Sequence, residues 1–358
     1  MAGVYLSYPF CAQKCTYCNF ASGVLPRELE PRYLERIAAE IQAAEWQWTP
    51  DTVYWGGGTP SLMPLEWLAR LHDLIPGRPW REATMEAAPG TLTDERLRGW
   101  REAGITRVSL GVQSFVPKEI ARTGRKHTAA IVEDEVRRLR AAGFEDFNLD
   151  LIAGLAGQTR DSWRESLDWI ERLDPPHVSV YILEVDEDSR LGAEMLLGGV
   201  RYGASDVPSD ELIVELYTAA IERLKSLGIL RYEISNFAKP GRESLHNLKY
   251  WQQAPYLGFG ADAHSFDGHE RWQNAESAED YVAQTRNMQR EVAQPHQERF
   301  FVGLRLMEGI VPTAAEWNQW AVPIAGFEAA GWLERAGDRL RLTSAGVLAS
   351  NEVFEAFV

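Results

Sequence analysis

YPFCAQKCTYCNF, residues 8–20, follows directly on a short apolar run at residues 4–8 and carries every cysteine of the chain, Cys11, Cys15 and Cys18. The run reads as a buried strand, and the cysteines then stand in the turn that leaves its C-terminal end. Working outward, similar runs rich in Val, Ile, Tyr and Leu recur at residues 52–55, 83–87, 107–112, 147–152 and 178–185. Between them apolar residues return at spacings of three and four, as in Tyr33, Leu34, Ile37 and Ile41 and again in Leu212, Leu216, Ile221 and Leu224, which predicts helices. Six βα units result. Repeated βα units impose parallel strands with right-handed crossovers, and six are too few to close an eight-stranded barrel. The fold class expected is therefore α/β, an open partial (βα)6 barrel with its site at the C-terminal ends of the strands. The turns GGGTP (56–60), EAAPGT (86–91), GVQSF (111–115) and GLAGQT (154–159) all fall there.

Beyond about residue 228 the βα rhythm fades and Lys239-Pro240-Gly241 punctuates the chain, so residues 1–228 are expected to form the core domain and 229–358 a smaller C-terminal α+β module. A chain of 358 residues with 45% hydrophobic and 25% charged side chains suits a barrel plus an appendage. The net charge of -15, with no run of Lys or Arg, argues against nucleic acid or anionic lipid as a partner. No basic leader and no long apolar span is seen, which predicts a cytoplasmic protein without a spanning membrane segment. Three cysteines confined to one turn are not a disulfide framework and suit a reducing compartment.

The spacing C-x3-C-x2-C lets one short loop place three thiolates around a small inorganic core. A 4Fe-4S cubane has four irons, so three protein ligands leave one open, where the amino and carboxylate groups of S-adenosylmethionine (SAM) can chelate. The competing readings are a zinc ion completed by a distant histidine and three merely buried cysteines. Gly56, Gly57, Gly58 and Thr59, after the second strand, leave bare backbone that a cosubstrate can approach, although a glycine-rich turn by itself is more often only a tight turn. Glu86, at the end of the third strand, is placed to pair with ribose hydroxyls. Ion pairing at a barrel rim is its structural alternative.

The cysteine spacing, with Tyr17 before the last cysteine, resembles the radical SAM superfamily. The longer strings resemble a narrower group, the anaerobic coproporphyrinogen oxidase-like proteins and within them the HemW-type haem chaperones. They run from YPFCAQKCTYCNF through GGGTPS, EAAPGT, GVQSF, NLDLIAGLAGQT, EISNFAKPG, HNLKYW and LGFGADAHSF to LTSAGVLASNEVF. The resemblance implies a 4Fe-4S cluster on Cys11, Cys15 and Cys18, and SAM contacts from Tyr5, Tyr17, Gly57, Gly58, Thr59, Glu86, Gln113, Arg125 and Asp150. Asp262-Ala263-His264 stands where relatives have Gly-Ala-His, a local departure from the pattern.

Two residue sets separate the functions within this group. True oxygen-independent coproporphyrinogen III oxidases continue the cysteine motif with a fourth Cys, where this chain has Asn19-Phe20. His246-Asn247-Leu248-Lys249-Tyr250-Trp251 matches the HNxxYW motif that the chaperone branch uses to hold haem. A neutral imidazole is a good axial ligand, and Tyr250 and Trp251 offer flat faces to a porphyrin. Lying past the Lys239-Pro240-Gly241 break, His246 is expected to face a haem edge at the domain boundary, while His264, flanked by Ala263 and Phe266, suits a buried structural role. The reading is a haem chaperone that delivers haem to client proteins and carries a SAM-binding cluster served by an electron donor. The alternatives are the oxidase and a radical SAM enzyme acting on another substrate.

Overall fold

A computed structural model of the chain describes residues 1–284 and 290–358. Six strands, β1 (Ala2–Tyr8), β2 (Pro50–Gly57), β3 (Glu82–Ala87), β4 (Arg107–Gln113), β5 (Asp146–Ala153) and β6 (His177–Ile182), lie side by side in chain order, each parallel to the next. The helices between them include α1 (Leu29–Ala43), α2 (Leu65–Leu74), α3 (Asp94–Glu102), α4 (Pro117–Arg122), α5 (Ala129–Ala141), α6 (Arg160–Leu173), α7 (Arg190–Leu196) and α8 (Asp210–Ser226). This is the partial α/β barrel that the six βα units predict.

The strands are buried on both faces, but the two faces differ in chemistry. Val4, Leu6, Val53, Trp55, Met85, Val108, Leu110, Leu149, Leu151, Val178 and Val180 have no exposed surface and pack beneath the helices. The alternate positions, among them Tyr5, Tyr54, Glu86, Ser109, Asp150 and Ser179, turn into the barrel, as the period of two in a strand requires. Full burial of one such Leu side chain stabilises by about 1.5–3 kcal/mol, and this outer face secures the fold so that the inner face is free to be polar.

The chain beyond residue 228 continues the same sheet. β7 (Leu230–Arg231) and β8 (Asn236–Ala238) extend it past β6, and β9 (Tyr256–Phe259), parallel to β1, begins the other flank, which runs on through β10 (His264–Phe266), β11 (Glu270–Gln273) and β12 (Arg290–Val292). Among the described residues twelve strands thus form one sheet in the order β12-β11-β10-β9-β1-β2-β3-β4-β5-β6-β8-β7. Between β8 and β9, α9 (Leu245–Trp251) crosses the N-terminal ends of the strands. Glu82, the first residue of β3, accepts hydrogen bonds from the backbone N–H groups of Leu245 at 3.0 Å and His246 at 2.8 Å, capping that helix. Arg107, the first residue of β4, faces Glu82 at 3.5 Å and donates to the carbonyl of Arg242 at 2.8 Å. The remaining chain forms short helices and a separate two-stranded hairpin, Leu333–Ala336 with Arg339–Leu342.

Candidate functional site

The cysteine loop leaves β1 at the C-terminal end of the barrel and is fastened there by backbone. Cys11 N–H donates to Gly23 O at 2.8 Å, Thr16 N–H to Thr123 O at 3.1 Å, and Leu191 N–H, from the first residues of α7, to Thr16 O at 2.8 Å. All three cysteines are unbridged and half-buried. The glycine turn after β2 packs directly beneath them, with Gly58 N–H donating to Tyr8 O at 2.8 Å and Thr59 N–H to Phe10 O at 3.0 Å. A Cβ at Gly58 would lie 2.9 Å from Cys11 Sγ and 2.7 Å from the Pro9 carbonyl carbon, so only glycine brings the turn this close. Burial pushes the Cys11 thiol up, an effect that the Thr59 and Ser22 hydroxyls partly offset. Among the described residues no three His, Cys, Asp or Glu side chains converge as ligands of a single metal ion.

Arg125 joins this loop to the barrel interior. Its Nη1 donates to Gly111 O at 2.9 Å, and although burial works against its charge, Tyr17 and Cys15 outweigh that and hold its pKa above the ordinary value. Gln113 ends β4 at φ 68°, a left-handed backbone that interrupts the pairing of β4 with β5 between Leu110 and Gln113. Its Oε1 and Arg125 Nε are buried without a hydrogen-bond partner in the protein. Unpaired buried polar atoms are costly, and two of them at one strand end mark a place shaped for a polar ligand. Deeper in, Tyr54 donates to Glu86 at 2.8 Å, and burial, opposed by that bond and reinforced by Asp150, raises the Glu86 carboxyl to about 7. Asp150 accepts from Ser109 Oγ at 3.1 Å and Asn148 Nδ2 at 2.5 Å, while burial raises its pKa. Tyr5 stacks on Tyr54 at 6.1 Å, crossing bare Gly56, where a Cβ would sit 2.8 Å from the Tyr5 ring.

The structure therefore brings together, at one end of the barrel, the cysteines and every residue the resemblance assigns to SAM. The donor set fits a cluster and its cosubstrate: three thiols on one loop, a glycine cradle against Cys11, a guanidinium beside Cys15, and orphaned polar atoms at Gln113 and Arg125.

The residues expected at haem lie at the floor of the same barrel, where His246 stacks on Tyr54 with ring centroids 5.2 Å apart. His246 is 1% exposed, at the opposite end of the barrel from the cysteines. Its Nδ1 is 2.9 Å from Thr52 Oγ1 and its Nε2 2.9 Å from Tyr250 OH, so both ring nitrogens are committed. Burial, aided by Lys249, lowers its pKa to about 3. Tyr250 packs edge-on against Tyr256 at 4.8 Å, and Trp251 lies under the Arg305 guanidinium at 4.4 Å. The physical reason is α9 itself, which presents His246 to the barrel floor and not to a domain boundary. His264, expected to be buried, is exposed, although its neighbours Ala263, Ser265 and Phe266 are all buried.

Sequence reasoning missed Tyr54, Ser109 and Asn148 as members of the site. A signal was present: within the strands the polar residues recur at every second position, in Thr84-x-Glu86, Arg107-x-Ser109 and Asn148-x-Asp150. Read as uniformly buried strands, those segments concealed a polar lumen.

A partial parallel barrel with a three-cysteine loop at its C-terminal mouth defines the class, that of radical SAM proteins. The model of the radical SAM superfamily matches residues 5–170. Over its whole length the chain is 32% identical to the heme chaperone HemW of Bacillus subtilis, covering 100% of this chain and 99% of the relative. It is 34% identical to HemW of Mycobacterium tuberculosis, covering 98% and 93%. The chain belongs to the HemW family of radical SAM proteins. Its fold is also that of coproporphyrinogen III oxidase (HemN) from Escherichia coli, with a TM-score of 0.82 at 20% identity over 99% of this chain and 89% of that one.

Proposed function

We propose that the chain is a haem carrier that holds a 4Fe-4S cluster on Cys11, Cys15 and Cys18, binds SAM beside it, and passes haem to client proteins in the cytoplasm. The observation that carries this reading is end-to-end similarity to relatives named heme chaperones, joined to Phe20, which stands where the oxidases place a fourth cysteine. When bound, such a cluster supplies an electron to the sulfonium of SAM, with an external reductant as its source. The protein's own residues would hold and orient the pair. The backbone of Gly57 and Gly58 would leave room for the methionyl end, Glu86 and Asp150 would accept from the ribose hydroxyls, and Gln113 and Arg125 offer unpaired polar atoms that a ligand would satisfy. Phe20 is 65% exposed on the outer side of the cysteine loop, where a fourth thiol would otherwise stand.

The test is paired. Reconstituted protein titrated anaerobically with haemin should develop a Soret band that saturates, and incubation with coproporphyrinogen III, SAM and reductant should yield no protoporphyrinogen IX. Robust turnover of that substrate would restore the oxidase reading.

A further inference from the structure

We infer that Tyr54 is a positioning residue for SAM, aiming the Glu86 carboxylate at the ribose from a ring that Tyr5 and His246 hold in place; this deepens the SAM-binding reading above and rests on it. The inward positions of β2 are Thr52, Tyr54 and Gly56, each one rung nearer the cysteine loop than the last. Tyr54 pairs across the sheet with Thr84 of β3, so Glu86, two residues further on, stands one rung closer to the mouth. The phenol therefore has to reach along the strand. Gly56 gives it the room: a Cβ there would fall 3.2 Å from Tyr54 Cε1 and 2.8 Å from Tyr5 Cε2, so the two rings use the space of the missing side chain. The Tyr54 hydroxyl then donates to Glu86 Oε1 at 2.8 Å.

Two stacked rings support the phenol. Tyr5, its partner in the sheet, lies at 6.1 Å and 21°, and His246 at 5.2 Å and 27°. His246 is fixed in turn by Thr52 Oγ1 and Tyr250 OH, each at 2.9 Å. Gly3, opposite Thr52 on β1, is bare where a Cβ would come within 3.1 Å of the imidazole. Tyr54 thus joins the packed floor of the barrel to the SAM end. The titratable groups that act on Glu86 or feel its charge are Tyr5, Tyr54, Asp150 of β5, Tyr181 of β6 and Tyr250 of α9: four phenols that burial keeps neutral, and one acid. Burial and Asp150 push the Glu86 carboxyl up to about 7, while the Tyr54 hydroxyl and the Gly57 N–H oppose them. A charged carboxylate accepts roughly twice as strongly as a neutral group, so a bond that favours the ionised form also favours the ribose hydroxyls.

The experiment measures SAM affinity by anaerobic equilibrium dialysis, on the full chain with its cluster reconstituted and left unreduced so that SAM is bound and not cleaved, from about pH 6 to about pH 9. Wild type, Tyr54→Phe, Glu86→Gln and the double variant are compared. Phenylalanine keeps the stacked ring and removes only the hydroxyl. Glu86→Gln reports the pH dependence that belongs to the ligand, chiefly its amino group, and the difference from wild type belongs to Glu86. A hydrogen bond to a charged group is worth about tenfold, so the Glu86-dependent rise in affinity should move up by about one pH unit in Tyr54→Phe, leaving affinity at neutral pH roughly fivefold weaker with iron and sulfide content unchanged. In the Glu86→Gln background the same substitution should cost at most about twofold and move no midpoint. A Tyr54→Phe profile that matches wild type, or a loss of equal size in both backgrounds, would overturn the assignment while leaving SAM binding intact. A wild-type chain with a full cluster that does not bind SAM would overturn the SAM reading and this assignment with it.

Discussion

Glu86 illustrates how a single side chain couples site and stability. Its carboxyl is raised to about 7, chiefly by burial, from an ordinary value of 4.5. The folded state thus binds the proton more tightly than the unfolded state between those values, and the native protein loses stability as pH rises through that window. Glu86→Gln removes the titration while keeping a group that can accept from Tyr54. Without SAM, the melting temperature of wild type relative to Glu86→Gln should therefore fall as pH increases from 5 to 7. A constant difference across that range would show that Glu86 is not held protonated. Gly58 is the other residue whose identity is forced, and here the sequence was plainly legible, because three glycines after a buried strand already ask for close backbone approach. Gln113 was assigned as a contact, but its left-handed backbone was not foreseeable, since nothing in GVQSF marks a residue other than glycine for positive φ.

The decisive element is α9. Its sequence, LHNLKYW, reads equally well as a ligand set and as a packed helix, because an imidazole beside two aromatic rings serves either purpose. The contacts that pack the helix lie far away along the chain: Thr52, 194 residues before His246, and Glu82, which caps the helix start. No local pattern carries that information. The buried pair of Glu82 and Arg107, with side chains 6% and 4% exposed, adds a second tie between the helix and the strand ends. Breaking a buried pair by removing one partner costs about 3–5 kcal/mol. Glu82→Ala should lose stability on that scale in denaturant melts and also free the start of α9, seen as faster amide exchange at Leu245 and His246. If Glu82→Ala leaves both unchanged, α9 is not the floor of the barrel. The six parallel strands, by contrast, were legible to within a residue or two at most ends, since their apolar outer faces form continuous runs. The later strands β7 to β12, two to four residues long, were not, because so short a segment shows no period.

At the scale of the whole molecule one sheet carries two differently finished ends. The C-terminal mouth gathers the thiols, the glycine turn and the unpaired polar atoms of Gln113 and Arg125, whereas the N-terminal mouth is sealed by α9 and its fully bonded histidine. No helix among the described residues is long and apolar enough to cross a membrane. Every functional reading above depends on the cysteine loop holding a cluster, and that is directly measurable. Anaerobic reconstitution of the full chain should give about four irons and four sulfides per molecule and, on reduction, an EPR signal that changes when SAM is added, all of it lost in Cys15→Ala. A protein that instead holds a single zinc ion and no sulfide would contradict the account.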